Sequence, residues 1–505
     1  WNDANNALVG NGVSMVTLYY LHRFLKFFRQ TLEHSDLENV KISSELIEYY
    51  HSVRETFREF RHLLAGSISD EDKKNILDKL GQAASDYRQY IYRNGFWGKK
   101  RSASLAGLKT FADLSLDFIE HAIRANKRED RLYHAYNLLT VHDNAVSIAH
   151  LGEMLEGQVA ALSSGYLSSE EALEVLDALK ASALVRDDQY SYILYPNKNL
   201  PGFLHKNIIP DADARSSALI QKMAAGGNKT IVEQDIRGVF HFNGNFKNAN
   251  DLERALNELA NGEYQVLAEQ EKALLLGIFE KVFHHKAFTG RSGTFFSYEG
   301  LGSIYWHMVS KLHLAVQECC LKAIVENAAP AVIGRLLEHY YEIEAGIGVH
   351  KPPQLYGAFP TDPYSHTPMH RGAQQPGMTG QVKEDILVKF GELGVFVENG
   401  KLHFNPCLLR KGEFLREAHT VEYVNVESGR ERIQLAPQSL CFTFCQVPVI
   451  YSIQDKNRLE VVFADGKSLV TDSLELDGET SRQIFQRNGR VRKILVGITA
   501  EGLRG

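Results

Sequence analysis

VSMVTLYYLHRFLKFFRQ (Val13–Gln30), SSELIEYYHSVRETFREFRHLL (Ser43–Leu64), DEDKKNILDKLGQAASDYRQYIYRN (Asp70–Asn94) and LAGLKTFADLSLDFIEHAIRAN (Leu105–Asn126) repeat apolar residues three and four positions apart. That is the period of an amphipathic helix. Polar or glycine-containing junctions such as Gly66-Ser67 and Gly95 separate the stretches. Ser69-Asp70-Glu71-Asp72 reads as a helix start, with acids in the first turn. Helices joined through short turns pair antiparallel as αα-hairpins. With no solenoid repeat in the sequence, a closed helical toroid is the expected arrangement.

Working outward, residues 131–250 have a mixed texture. Two shorter helices are expected around Ile148–Leu162 and Glu170–Leu179, the second with capping-box spacing at Ser168 and Glu171. The stretch YSYILYPNKNLPGFLHKNIIP and then HFNGNF read as irregular and form an expected insertion. Helical patterns resume at LAEQEKALLLGIFEKVFHH, GLGSIYWHMVSKLHLAVQECCLKAIV, PAVIGRLLEHYYEIEAG and TGQVKEDILVKFGEL. After Gly394 the pattern turns β-like. VFVENGKLHFNP is a hairpin with Asn-Gly at its turn, and RLEVVFADGKSLVTD carries a second turn at Asp465-Gly466. The fold class is therefore mainly α with a β domain. Residues 1–394 are expected to form the toroid and 395–505 a small β-sandwich.

The chain has 505 residues, with 44% apolar and 23% charged, ordinary values for a soluble globular protein. A formal charge of −6 offers no basic excess for neutralising phosphates, which argues against nucleic acid as partner. No run of 18 apolar residues occurs, so no membrane span is expected. The five cysteines, none in a CxxC pair, suggest a reduced and hence cytoplasmic setting. The opening WNDANNALVG has neither an initiator Met nor a basic signal region, so residue 1 reads as internal to a longer polypeptide.

Four places could carry chemistry. At Trp1-Asn2-Asp3, a carboxyl beside an aromatic wall can stay protonated through desolvation and donate to a departing glycosidic oxygen. The same residues also fit an Asx turn before the first helix. In RSGTFFSYEGLGSIYWH (Arg291–His307), Tyr298 and Glu299 offer a hydroxyl and a carboxylate in a glycine-rich loop. His307 is expected about two turns into the following helix, and a core histidine fits there equally. The loop 346–377 crowds Asp362, Tyr364, His366, Gln374 and Gln375 into a proline-rich segment suited to a polyhydroxylated ligand. His350, Asp362, His366 and His370 are of metal-binding types, but their spacing matches no zinc pattern, so no metal is expected. Thr379-Gly380, ahead of a helix, suits an anion site or an ordinary N-cap.

In this order the motifs resemble glycoside hydrolase family 94, the cellobiose and chitobiose phosphorylase group, built on a six-hairpin (α/α)6 barrel. Trp1-Asn2-Asp3 is similar to the end of that family's Asp-Trp-Asn-Asp motif, which implies Asp3 as general acid. Glu299 through Tyr305 to His307 resembles its Glu-Asn-Gly-Gly-x-Tyr-x-His segment, implying that His307 helps hold phosphate. Thr379-Gly380 resembles its phosphate-contacting Thr-Gly, and GVFVENGKLHFNPCLL resembles its barrel-to-β junction. The Glu299–His307 interval is one residue longer than the family's, and Asn405 stands where Asp is usual. The 131–250 insertion has no counterpart there.

The resemblance implies inverting phosphorolysis of a β-linked gluco-oligosaccharide, with inorganic phosphate as co-substrate, no further cofactor, and a homodimer allowed. Two alternatives stand beside it. An inverting hydrolase would use Glu299, Asp362 or Glu384 as base for water. A binding protein would keep the barrel without turnover.

Overall fold

The computed structural model describes residues 12–196, 203–259, 262–284, 304–347, 366–367 and 382–504. The chain is mainly helical, with several small sheets and a β-rich region after residue 394. It divides into two compact units, Trp1–Met378 and Thr379–Gly505. The division precedes the expected boundary at 394 because the last long helix, Val382–Leu393, runs directly into the strand pair that follows it.

In the first unit, helices α1 (Met15–Glu33), α2 (Ser44–Phe60), α3 (Asp70–Asn94) and α4 (Leu105–Ala125) coincide with the four periodic stretches. Ser14, Ser43, Ser69 and Ser104 cap them, each accepting a first-turn amide, from Thr17, Leu46, Asp72 and Gly107. Each such cap is worth about 1 kcal/mol. Three of these serines also end strands, Ser14 among them: β2 (Asn39–Ser43) pairs antiparallel with β3 (Lys100–Ser104). β1 (Gly12–Ser14) joins β4 (Tyr136–Val141) and β5 (Val146–His150). β5 occupies the front of the stretch expected as a helix from Ile148, and helix α5 spans only Leu155–Ser163. The β-branched Val146 and Ile148 pair across to Val141 and Leu139 instead. The expected capping box is present on α6 (Ser169–Lys180).

Residues 203–284 carry a hydrophobic core of their own. Helices α7 (Asp211–Ser216), α8 (Ala218–Ala225), α9 (Ala249–Leu259) and α10 (Gln265–Phe283) close around a short pair, β6 (Val232–Gln234) and β7 (Phe240–Phe242). Leu219, Ile220, Met223, Leu252, Phe279 and Phe283 are buried there. The expected insertion therefore overlaps a compact body that continues past 250 through α10.

Next, β8 (Ile304–Tyr305) pairs with β9 (His366–Thr367) and leads into α11 (Trp306–Val325), which packs on α5 and on α12 (Pro330–Ile347). α5 is buried nearly all round, and α11 over most of its surface, as befits helices enclosed by others. No described helix is long and apolar enough to cross a membrane.

In the second unit, α13 (Val382–Leu393) precedes the hairpin β10 (Val395–Glu398) and β11 (Lys401–Phe404), with Asn399 and Gly400 both at positive φ, as a tight Asn-Gly turn requires. A second hairpin, β12 (His419–Val424) with β13 (Arg430–Leu435), follows. Strands β14 (Ser439–Phe444), β15 (Val447–Gln454), β16 (Arg458–Phe463), β17 (Ser468–Thr471) and β18 (Val491–Thr499) form one sheet in the order β14-β15-β18-β16-β17. β18 runs parallel to β15 and antiparallel to β16. Helix α14 (Gly478–Phe485) contributes Ile484 to the core, beside the fully buried Tyr451.

Candidate functional site

The β8–β9 pair sets Tyr305 opposite His366 and Ile304 opposite Thr367. It thereby joins the glycine-rich segment before α11 to the proline-rich loop expected to bind a polyol. His307 is the second residue of α11, not two turns in, because Ile304 and Tyr305 are held extended by this pairing. The Tyr305 hydroxyl lies 3.3 Å from His307 Nδ1, and the two rings meet edge-on. No side-chain oxygen caps the helix at Tyr305, so its positive end faces whatever lies ahead of it.

Lys311, one turn beyond His307, shares its helix face. The charge of Lys311 is felt by Glu156 in the first turn of α5. Glu156 is 3% exposed, and its carboxylate accepts the Tyr136 hydroxyl at 2.9 Å. Burial drives its pKa upward, against the lowering effects of Tyr136 and Lys311. The Tyr136 phenol is pushed above its usual range, first by burial and then by the Glu156 charge. Tyr20 is raised too, mainly by burial, with Glu156 a smaller contributor. A carboxyl group biased toward its neutral form, a phenol, an imidazole and an ammonium thus sit on neighbouring elements. These are groups that donate and accept protons and hold oxyanions.

Of the residues singled out in the sequence, His307 is described in full and His366 through its strand pairing. Trp1, Asn2, Asp3, Tyr298, Glu299, Asp362, Tyr364, Gln374, Gln375, Thr379 and Gly380 lie outside the described residues, as do His350 and His370. Among the described residues no cluster of His, Cys, Asp or Glu is arranged to hold a metal. Glu384, the remaining candidate base, is buried in α13. Sequence reasoning missed Glu156. Its signal was present: Glu156 and Gln158 interrupt a short helix whose other residues are apolar or small, so no polar face exists to receive them.

Residues 200–286 match the family model of the GH149 phosphorylase insertion domain 2. The match coincides with the body that encloses its own core. It supports a glycoside phosphorylase-type carbohydrate enzyme. It carries the name of family 149 and lends no support to the expected placement in family 94, nor to the six-hairpin barrel. A search of curated proteins returns no match.

Proposed function

We propose that the protein is a glycoside phosphorylase that cleaves a β-linked gluco-oligosaccharide with inversion, using inorganic phosphate. The match of residues 200–286 to a phosphorylase insertion domain carries this reading. The helices around Glu156 and His307 belong on this view to an (α/α)6 barrel, and the β-rich second unit to a sandwich domain. Asp3 protonates the leaving oxygen, and phosphate attacks the anomeric carbon from the opposite face. His307 and the amides at the start of α11 hold that phosphate together with Thr379 and Gly380. Glu299 acts in catalysis beside Asp3, and Tyr298, Asp362, Tyr364, His366, Gln374 and Gln375, with Trp1 and Asn2, contact the sugar. Two placements favour the reading: Gly12, shortly after Asp3, is fixed by β1 against the strand that bears Tyr136, and His366 is paired beside the start of α11.

The test is synthesis in reverse. The protein is incubated with glucose 1-phosphate and β-gluco-oligosaccharide acceptors, and released phosphate is measured. Wild-type protein should release phosphate with an acceptor present, and His307→Ala should slow this by about 100-fold or more. Reducing sugar released at equal rates with and without phosphate would instead favour hydrolysis and end the phosphorylase reading.

A further inference from the structure

Far along the chain from these residues, α2, α3 and the segment that leads into β3 line a groove of about 810 Å³. That volume suits a small organic ligand. Its walls are aromatic. Tyr49 and Tyr87 stack at 5.1 Å, and Tyr90 meets Trp97 edge-on at 6.1 Å. Trp97 is 62% exposed although large and apolar, so it is held at the mouth and not in the core.

The charges around the groove differ by depth. Lys99, Lys100 and Arg101 are exposed to solvent, and Arg101 is paired with Glu48, likewise exposed. Glu45 is only 7% exposed. One of its oxygens accepts the Trp97 backbone amide at 2.8 Å, while the other is buried with no hydrogen-bond partner. Exposed charges are screened by water and salt. A buried carboxylate oxygen without a hydrogen-bond partner is costly and attracts a cation strongly in a low-dielectric surround. Glu48 and Asp86 add two further carboxylates to the lining.

We propose that this groove binds an organic ammonium ion, a charged amine carried on an apolar or sugar-like body. Glu45 supplies the charge partner, and Tyr49, Tyr87, Tyr90 and Trp97 supply ring faces and edges for cation–π and apolar contact. The protein already makes one such contact, with Lys99 Nζ 5.3 Å from the Trp97 ring centroid. The inference stands on the groove alone and does not depend on the phosphorylase reading.

Calorimetric titration with matched pairs tests it: benzylamine against benzyl alcohol, and glucosamine against glucose. Each amine that binds should do so at least tenfold more tightly than its neutral partner; the arm that binds identifies an aromatic or an amino-sugar source. Glu45→Gln keeps an oxygen for the Trp97 amide and should weaken amine binding about tenfold. Trp97→Ala, at an exposed position, should abolish it while the thermal transition stays in place. Equal binding of amines and neutral partners, amine binding that survives both substitutions, or no amine binding by a folded wild-type protein would each overturn the proposal.

Discussion

Gly394 shows what one residue can decide. It sits at φ +67 between α13 and β10, and a Cβ there would collide with the backbone of Asn405 and Pro406. Its carbonyl accepts the Asn405 amide at 2.7 Å, so the collision cannot be relieved without breaking that bond. Gly394→Ala should cost roughly 2–4 kcal/mol, from left-handed backbone strain and overpacking together. Denaturant unfolding would measure it. Glu156 makes a different prediction. Its folded pKa is raised by burial, so as pH rises above the unfolded carboxyl value the unfolded state ionises first and stability falls. Glu156→Gln, which can still accept from Tyr136, should therefore gain stability on wild type at neutral pH. The gap should close below about pH 4, where both forms are neutral. The opposite sign holds for His134, stacked on His150 at 4.0 Å and lowered to about 4 by burial and by its neighbour. As pH falls from 6.5 toward 4 the unfolded imidazole gains a proton that the folded one resists, and stability drops. His134→Gln should flatten that limb in urea melts taken across this range.

At the scale of elements, the long helices and the tight hairpins were legible and the short strands were not. A helix announces itself through periodicity over several turns and a serine at its start, as in α1 to α4. The turns at Asn399-Gly400 and Asp465-Gly466 follow from residues that tolerate positive φ. β2 and β3 gave no such signal. NVKIS and KRSAS are brief, polar and far apart in sequence, and their pairing sets the two helix caps, Ser43 and Ser104, at opposite ends of one ladder. β5 was hidden for a related reason, since alternation in five residues is too short to outweigh the helical pattern that follows. The start of α11 was misplaced because Ile304 and Tyr305 fit a helix as well as a strand until the partner, His366–Thr367, is known. The candidate site was legible only in part. His307 stood in a motif, whereas Glu156 owes its character to the burial of α5, a property of neighbours it does not share a segment with.

For the whole molecule, the boundary signals lay in changes of texture, and these are blunt where one helical body follows another. The turn to β structure near 394 was evident, yet α13 carries helical periodicity while opening the second unit. The insertion was blunter still, because α9 and α10 read like any other amphipathic helices. That 203–284 encloses its own core predicts independence. A fragment of residues 200–286, of a size that can bury a core unaided, should unfold in one cooperative thermal transition with native helical circular dichroism. A chain without fixed tertiary signal would count against it. The five cysteines distribute unevenly, two buried in α11 and three partly accessible in the second unit, so native alkylation should reach Cys407, Cys441 and Cys445 well before Cys319 or Cys320.

The central position of β18 has a consequence for synthesis. β15 and β16 follow one another in sequence, but neither bonds to the other; each reserves its edge for residues 491–499. While the ribosome is still translating that stretch, two apolar strands wait with unsatisfied peptide groups side by side. The nascent second unit is then most exposed to chaperone capture, and it locks only when its last strand emerges and slides between them.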